Sequence, residues 1–407
     1  AESQNGAVSR INPTTGESKS IRPRDPSGDA LRWDWNTPIS LSPHDPKTVY
    51  VAANKLFISK DRGDHWVGTK DLTRGLDRNK LPIMGREVTK AVMSSGDGEN
   101  GFSEIVTVEE SPAQKGVLWV GVDDGNLQLS KDGGATWENF NGKIPGLPKD
   151  TFVSRVAPSR FAAGRCYVTF DGHRSDDFTP YIYVTEDFGQ TWKKITNGIP
   201  EFHTLSVIRE HHRAENLLFA GSERGLYVSF DRGASWQKPG APLPTVPVDD
   251  IQIHPRDNDL ILATHGRGIY ILDDIAALEV MATGGTSQKV ALAPMRPGVQ
   301  YRISSRKATS GQKFYIAPNP QSSGATVLFY LKDDVDPAAI KVEVLDKKKK
   351  VIRTLAANNP GSGWNRVSWD LRMDAAPGGG GGFRGFEDLD DENAGGDREA
   401  SFWSALS

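Results

Sequence analysis

An eight-residue word, [Ser/Thr]-x-Asp-x-Gly-x-x-Trp, occurs four times in this chain. The copies are Ser59-Lys60-Asp61-Arg62-Gly63-Asp64-His65-Trp66, Ser130-Lys131-Asp132-Gly133-Gly134-Ala135-Thr136-Trp137, Thr185-Glu186-Asp187-Phe188-Gly189-Gln190-Thr191-Trp192 and Ser229-Phe230-Asp231-Arg232-Gly233-Ala234-Ser235-Trp236. A repeated unit of this kind constrains the fold before any single residue does. Each copy must bury its faces against its neighbours, so the chain is built in series.

The surroundings of the word repeat as well. Three short apolar runs (A, B and C) precede each copy and a fourth (D) follows it. Strands are predicted at 37–42, 48–53, 55–59 and from 65 in the first unit, and at 103–109, 117–122, 126–130 and 136–140 in the second. The third has 152–157, 165–170, 181–185 and 191–195, and the fourth 204–209, 217–221, 225–229 and 235–238. A fifth keeps 250–254, 260–264 and 268–272 but ends in Leu272-Asp273-Asp274 instead of the word. Period-two alternation with frequent turns is the strand signal. Four-stranded units in series predict an all-β fold, a β-propeller of about five blades plus a partial one. The A–B turns carry Pro, as in Ser42-Pro43-His44-Asp45-Pro46 and His254-Pro255-Arg256-Asp257, which suits a turn and excludes a central strand there.

The expected organisation follows from these patterns. Residues 1–28 hold a hairpin that resembles the outer strands of another blade, and residues 29–275 hold the blades. Residues 276–312 form a linker and the first strands of a C-terminal module. An Ig-like β-sandwich, short of its usual seven strands, is expected over 313–375. Residues 376–407, with Gly378–Gly382 and an acidic stretch, read as a Gly-rich flexible tail. The chain is expected to be a segment, with blades upstream and a sandwich cut at its C-terminal side.

Composition narrows the functional classes. The net charge of −3 over 407 residues argues against nucleic acid or membrane surfaces recognised by bulk charge. No apolar run approaches the roughly 20 residues that span a bilayer, so no membrane insertion is expected. Cys166 is the sole cysteine, which excludes an intrachain disulfide. Its strand, Arg165-Cys166-Tyr167-Val168-Thr169-Phe170, points to a buried structural thiol. No signal-peptide pattern opens the chain at Ala1-Glu2-Ser3-Gln4.

The four words match the Asp box of the BNR repeat. Together with Arg32-Trp33-Asp34-Trp35-Asn36-Thr37-Pro38-Ile39, Val117-Leu118-Trp119-Val120-Gly121-Val122-Asp123-Asp124-Gly125 and Thr264-His265-Gly266-Arg267-Gly268-Ile269-Tyr270, they resemble a group of large bacterial proteins labelled sortilin-like, YVTN/BNR-like or BNR-repeat glycosyl hydrolase-like. Phe314-Tyr315-Ile316-Ala317-Pro318-Asn319-Pro320 and Gly363-Trp364-Asn365-Arg366-Val367-Ser368-Trp369-Asp370 are similar to the group's Ig-like module. The resemblance covers roughly residues 6–375. It implies an exported protein (secreted, periplasmic or at the cell surface) with a further propeller upstream. It carries no catalytic residue that can be matched here.

The Asp box itself reads as structural. Asp61, Asp132, Asp187 and Asp231 are expected to cap the C–D turns, Gly63, Gly134, Gly189 and Gly233 to supply unusual backbone geometry, and Trp66, Trp137, Trp192 and Trp236 to pack between sheets. Chemistry is sought on the opposite face, made of B–C and D–A loops. That face would collect Glu99, Asp123, Asp124, His173, Asp176, Glu223, Arg224, His265 and Arg267, with Arg86, Glu87 and Asp97 on the long first D–A connection. His203 and the pair His211-His212 are expected to be solvated, without a metal-ligand spacing. No cofactor or metal is expected.

Three functions follow. The first is an extracellular binding or scaffold module that recognises a glycan or a protein on the loop face. The second is a glycoside hydrolase whose acid and base, about 5 to 10 Å apart, lie on that face or in a cleft between propellers. The third, implied by the sortilin resemblance, is a receptor-like module for a peptide or protein. A sialidase is disfavoured, because Ile21-Arg22-Pro23 is not the Arg-Ile-Pro signature of that class.

Overall fold

A computed structural model of the chain describes residues 1–82, 86–89, 101–239, 243–300 and 324–373. The first residues of the expected sandwich (313–323), the tail, Asp97 and Glu99 lie outside the described residues. The chain divides into two compact units. One comprises Ala1–Gln237, Thr245–Gln252 and Ile261–Tyr270, and the other takes Lys238–Pro244, Ile253–Leu260 and the chain from Ile271.

A hairpin, β1 (Ser9–Ile11) and β2 (Ser18–Ser20), comes first. Blade 1 follows with β3 (Ile39–Leu41), β4 (Val49–Ala52), β5 (Lys55–Ser59) and β6 (Val67–Asp71). Blade 2 has β7 (Ile105–Glu110), β8 (Leu118–Val122), β9 (Leu127–Ser130) and β10 (Glu138–Asn139). Blade 3 has β11 (Phe152–Pro158), β12 (Cys166–Asp171), β13 (Tyr181–Thr185) and β14 (Lys193–Lys194). Each is a four-stranded antiparallel meander in chain order. Blade 4 is β15 (Leu205–Glu210), β16 (Leu218–Ser222) and β17 (Gly225–Ser229), and the fifth sheet is β18 (Val248–Ile253), β19 (Leu260–Thr264) and β20 (Gly268–Leu272). The fourth strand expected at 235–238 is reduced to one bridge, Val228 to Gln237. Gln237 exchanges both backbone bonds with Val228, and on the other edge the Trp236 amide donates to the Asn197 carbonyl of blade 3 at 2.8 Å.

Consecutive sheets share their cores. Tyr50, Ala52 and Leu56 of blade 1 pack with Val108, Leu118 and Val120 of blade 2. Trp119 and Phe140 pack with Val156 and Val168 of blade 3, and Tyr167 and Ile182 pack with Ile208, Leu218 and Tyr227 of blade 4. The middle strands are therefore covered on both faces, and β8, β13, β16 and β17 are buried throughout. Simple alternation was the wrong expectation for them, since a strand between two sheets has no solvent side. Close stacking depends on glycine in β8 and β16. A Cβ on Gly121 would lie 2.5 Å from Val153 Cγ1, and one on Gly221 would lie 2.4 Å from the Val248 carbonyl oxygen. Cys166 is fully buried, and burial raises its thiol pKa well above the ordinary range.

Within the second unit, helix α1 (Ala276–Ala282) buries Ala276, Ala277 and Leu278. Two small sheets follow. One orders β21 (Val290–Leu292), β22 (Ala325–Leu331) and β25 (Gly363–Trp369); the other pairs β23 (Val342–Leu345) with β24 (Val351–Leu355). Phe329, Leu331 and Val367 form their core with Ile340, Val342 and Leu355. A cavity of 910 Å³, lined by Val327, Phe329, Val342 and Trp369 among others, lies between them.

Candidate functional site

The antiparallel order gives every blade two ends. At one end the A–B turn is tied to the C–D turn by the same backbone bond in four blades: Arg62 to Lys47, Gly133 to Gly116, Phe188 to Gly164 and Arg232 to Asn216, at 2.8 to 2.9 Å. At this end the octapeptide repeats its bonding almost atom for atom. Gly63 N, Gly134 N, Gly189 N and Gly233 N donate to the hydroxyl of Ser59, Ser130, Thr185 and Ser229, each at 2.8 Å. Asp132 Oδ1 accepts the Thr136 amide at 2.9 Å and Oδ2 accepts its hydroxyl at 2.5 Å; Asp187 and Asp231 do the same with Thr191 and Ser235. In the first copy the His65 ring replaces the hydroxyl, 2.6 Å from Asp61 Oδ2. These bonds favour the ionised carboxylate, and the Thr136 hydroxyl first of all holds Asp132 down at about 2. The four aspartates are committed to their turns.

The glycines of the word have a second role. All four have positive φ, from 84° to 97°. A Cβ on Gly189 would fall 2.4 Å from the Phe140 ring, and one on Gly233 would fall 2.6 Å from Ile195. Each turn thus leans on the preceding blade. The hairpin takes that place for blade 1: a Cβ on Gly63 would lie 2.8 Å from Ile21 Cδ1, and the Ile21 carbonyl accepts from Trp66 Nε1 as the Ile195 carbonyl does from Trp236 Nε1. Trp236 is buried, whereas Trp66, Trp137 and Trp192 are partly buried.

The other end carries the B–C and D–A loops. Strand register makes one position equivalent there. The amides of Asp123, Glu223 and His265 donate back to the carbonyls of Glu104, Thr204 and Pro247, and Asp171 pairs with Phe152 at the end of blade 3. Asp123, Asp171, Glu223 and His265 therefore form one polar series along the rim, one member from each of four sheets. His265 is exposed and lies 3.3 Å from Asp249. Asp171 holds His173, its Oδ2 2.7 Å from Nδ1, within the short turn His173–Ser175 that Asp176 closes at φ +63°. Arg224 and Arg267 are exposed, and Glu223 is half-buried. Of the first D–A connection, Arg86 and Glu87 are described and exposed. Aromatic rings join this face. Trp35 and Phe202 are 42% and 62% exposed, and Phe202 lies 6.5 Å from Phe178 at φ +62°, unusual for so bulky a side chain.

Between blades 1 and 2 the rim holds a carboxyl cluster. The Glu104 amide donates to Asp123 Oδ1 at 2.7 Å. Asp124 is fully buried and accepts the amides of Arg74 at 2.7 Å and Asn126 at 3.2 Å. Burial raises all of these acids: Asp123 well above the usual range, Asp124 and Asp34 above it, and Glu104 to about 7. Asp34 adds to the rise at Glu104, and Glu2 adds to that at Asp34. Arg32 opposes the rise at Glu104 and Arg74 that at Asp124, and each also pairs with a further carboxylate, Arg32 with Asp71 at 3.0 Å and Arg74 with Asp150. Only Asp123 and Asp124 of this cluster stand out in the sequence. Glu104 precedes its strand without any motif, and Asp34, although inside the run Arg32–Ile39, does not stand out there as a site residue; the importance of both comes from burial.

The chain has relatives of two kinds. Residues 180–291 match the family model described as Sortilin-Vps10: Sortilin, neurotensin receptor 3. Sortilin of Danio rerio is 28% identical over 233 residues, 54% of this chain and 26% of that protein. The repeats are those of a sortilin-like β-propeller. An oligoxyloglucan-reducing end-specific xyloglucanase of Emericella nidulans is 26% identical over 165 residues, 39% of this chain and 17% of that enzyme. The chain thus spans about a quarter or less of the length of these relatives. A GH74 xyloglucanase of Xanthomonas campestris is 18% identical, with a TM-score of 0.43 over 57% of this chain and 36% of that one, too low to carry an argument. Among the described residues no helix is long and apolar enough to cross a membrane.

Two further features of this sortilin-like propeller were not legible in its sequence. The innermost strands of all five sheets are linked by polar side chains. Ser40 donates to Glu109 at 3.0 Å, Arg209 bridges Glu109 at 3.4 Å and Asp250 at 3.5 Å, and Arg155 meets Asp250 at 3.2 Å. The histidines expected in solvent are buried instead. His203 bonds the Tyr227 hydroxyl at 2.7 Å, and His211 Nδ1 lies 3.2 Å from the amides of Arg213 and Ala214, capping the A–B turn.

Proposed function

We propose that this propeller is a recognition module acting outside the cytoplasm, secreted, periplasmic or at the cell surface. On this reading it binds a protein or peptide ligand on the rim that carries Asp123, Asp171, Glu223 and His265. The observation that carries the reading is the combination of exposed rings, Trp35 and Phe202, with the cluster of acids on the same rim. Exposed aromatics and unbalanced charge are the usual anchors of an interface. The family-model match to a receptor adds support. The experiment is a peptide library and a glycan array probed with the protein and with Trp35→Ala and Phe202→Ala. Binding that falls in both variants supports the rim, and an unchanged profile removes it.

One observation favours a second reading, a glycoside hydrolase. Glu104, at about 7 beside Asp34 and Asp123, could hold the proton that a leaving-group oxygen needs. Release of reducing ends from soluble polysaccharides, lost in Glu104→Gln and Asp123→Asn, would establish it. No release from any polysaccharide would leave the recognition reading alone.

A further inference from the structure

The fifth sheet ends on an open edge. β20 is its outermost strand, and among the described residues no fourth strand pairs with it, whereas β6, β10 and β14 cover that edge in blades 1 to 3. The repeat fixes which backbone groups face the edge. In blades 3 and 4 the carbonyls of Ile182 and Val228 accept from the amides of Ile195 and Gln237 at 2.9 and 3.0 Å. Ile182 and Val228 hold the second and fourth places of the five-residue strands β13 and β17, and Ile269 and Ile271 hold those places in β20. Their amides and carbonyls therefore point to the open edge. Their side chains are open as well: Ile269 is 70% and Ile271 59% exposed, although the equivalent Leu226 and Val228 of blade 4 are buried. Edge strands are commonly blunted by charge, proline or a bulge. Gly268-Ile269-Tyr270-Ile271-Leu272 has neither charge nor proline; Arg267 stands just before it and Asp273 just after it.

We infer that this edge pairs with the same edge of a second copy of the chain, antiparallel about a two-fold axis at Tyr270. In that register Ile269 of one copy lies opposite Ile271 of the other, twice. Each such pair exchanges both backbone bonds, because the groups already point outward. Arg267 lies opposite Asp273 of the second copy at both ends. The strand is thus complementary to itself, apolar against apolar at the centre and opposite charges at the flanks. That complementarity selects a second copy as the occupant. A shift of two residues would set Ile269 against Asp273 and lose the match. The inference does not use the rim and is independent of the recognition reading.

The test is sedimentation velocity over a concentration series reaching the hundred-micromolar range, where a concentration-dependent dimer is expected. Arg267→Glu, which sets like charges opposite each other, should weaken the dimer about tenfold, and so should Asp273→Arg. Combining the two should restore it. A cross-link gives a second readout. Opposite residues of a non-hydrogen-bonded pair have Cα atoms about 4.5 Å apart, so Tyr270→Cys should form a disulfide-linked dimer under mild oxidation. The native thiol, Cys166, is fully buried and gives no background. A monomer at every concentration overturns the inference. So does a dimer indifferent to both charge reversals, or one cross-linked by Ile269→Cys and not by Tyr270→Cys, which would mean sheets packed face to face.

Discussion

The backbone amide of Glu104 donates to the side chain of Asp123, at 2.7 Å. Two acids from neighbouring strands are thereby held close together at the rim, and burial raises the pKa of both. The rim's chemistry follows from that shared burial.

The pH dependence of stability tests it. Glu104 titrates at about 7 in the folded chain against 4.5 as its ordinary value, so between these limits the folded state binds more protons than the unfolded one. Stability contributed by this group is full below about 4.5 and is lost as pH rises through 7. Glu104→Gln should flatten that fall, measured by urea unfolding from pH 4.5 to 8. A slope equal to that of the parent chain would contradict the assignment.

The Asp-box carboxylates work with the opposite sign. Asp132 is held at about 2 and Asp187 below its ordinary value, chiefly by the Thr136 and Thr191 hydroxyls. Their contribution is present above about 4 and lost as pH falls toward 2. Asp132→Asn with Asp187→Asn should therefore cost stability at pH 7 and little near pH 2. A cost independent of pH would point to a steric effect instead.

Gly233→Ala places a Cβ 2.6 Å from Ile195 at φ +84°. Strain at the turn and overpacking against blade 3 add, and the change should cost about 2 to 4 kcal/mol in urea unfolding. Gly225→Ala, also at positive φ but with open space around it, should cost about 1 kcal/mol less than that or better. Equal losses at the two sites would mean that contact with the preceding blade is unimportant.

Phe202 has positive φ and an exposed ring, which is a strained place for a bulky apolar side chain. Phe202→Asn should raise stability by about 0.5 to 1 kcal/mol while weakening ligand binding. A loss of stability would show that the ring is there for packing.

Much of the scaffold could be read from residues. The octapeptide ordered strands C and D because its bonds are local, within four residues, and β5, β13, β17, β19 and β20 begin and end where the repeat placed them. The site was less legible. Asp123 and Asp124 stand in a turn whose composition marks them, but Glu104 and Asp34 matter through burial, which depends on the neighbouring blade. The link from Ser40 through Glu109, Arg209 and Asp250 to Arg155 joins positions far apart in the chain, and no local pattern announces it. His211 looked solvated because its turn is polar; it is buried because two backbone amides need its ring nitrogen.

The most direct test of the recognition rim is hydrogen exchange of the chain with and without a peptide retained from the library. Slowed exchange is predicted in the loops at Glu104, Asp123–Asn126 and Trp35, with the Asp-box turns at Gly63, Gly134, Gly189 and Gly233 unchanged. Protection at those turns, with the rim unaffected, would contradict the account.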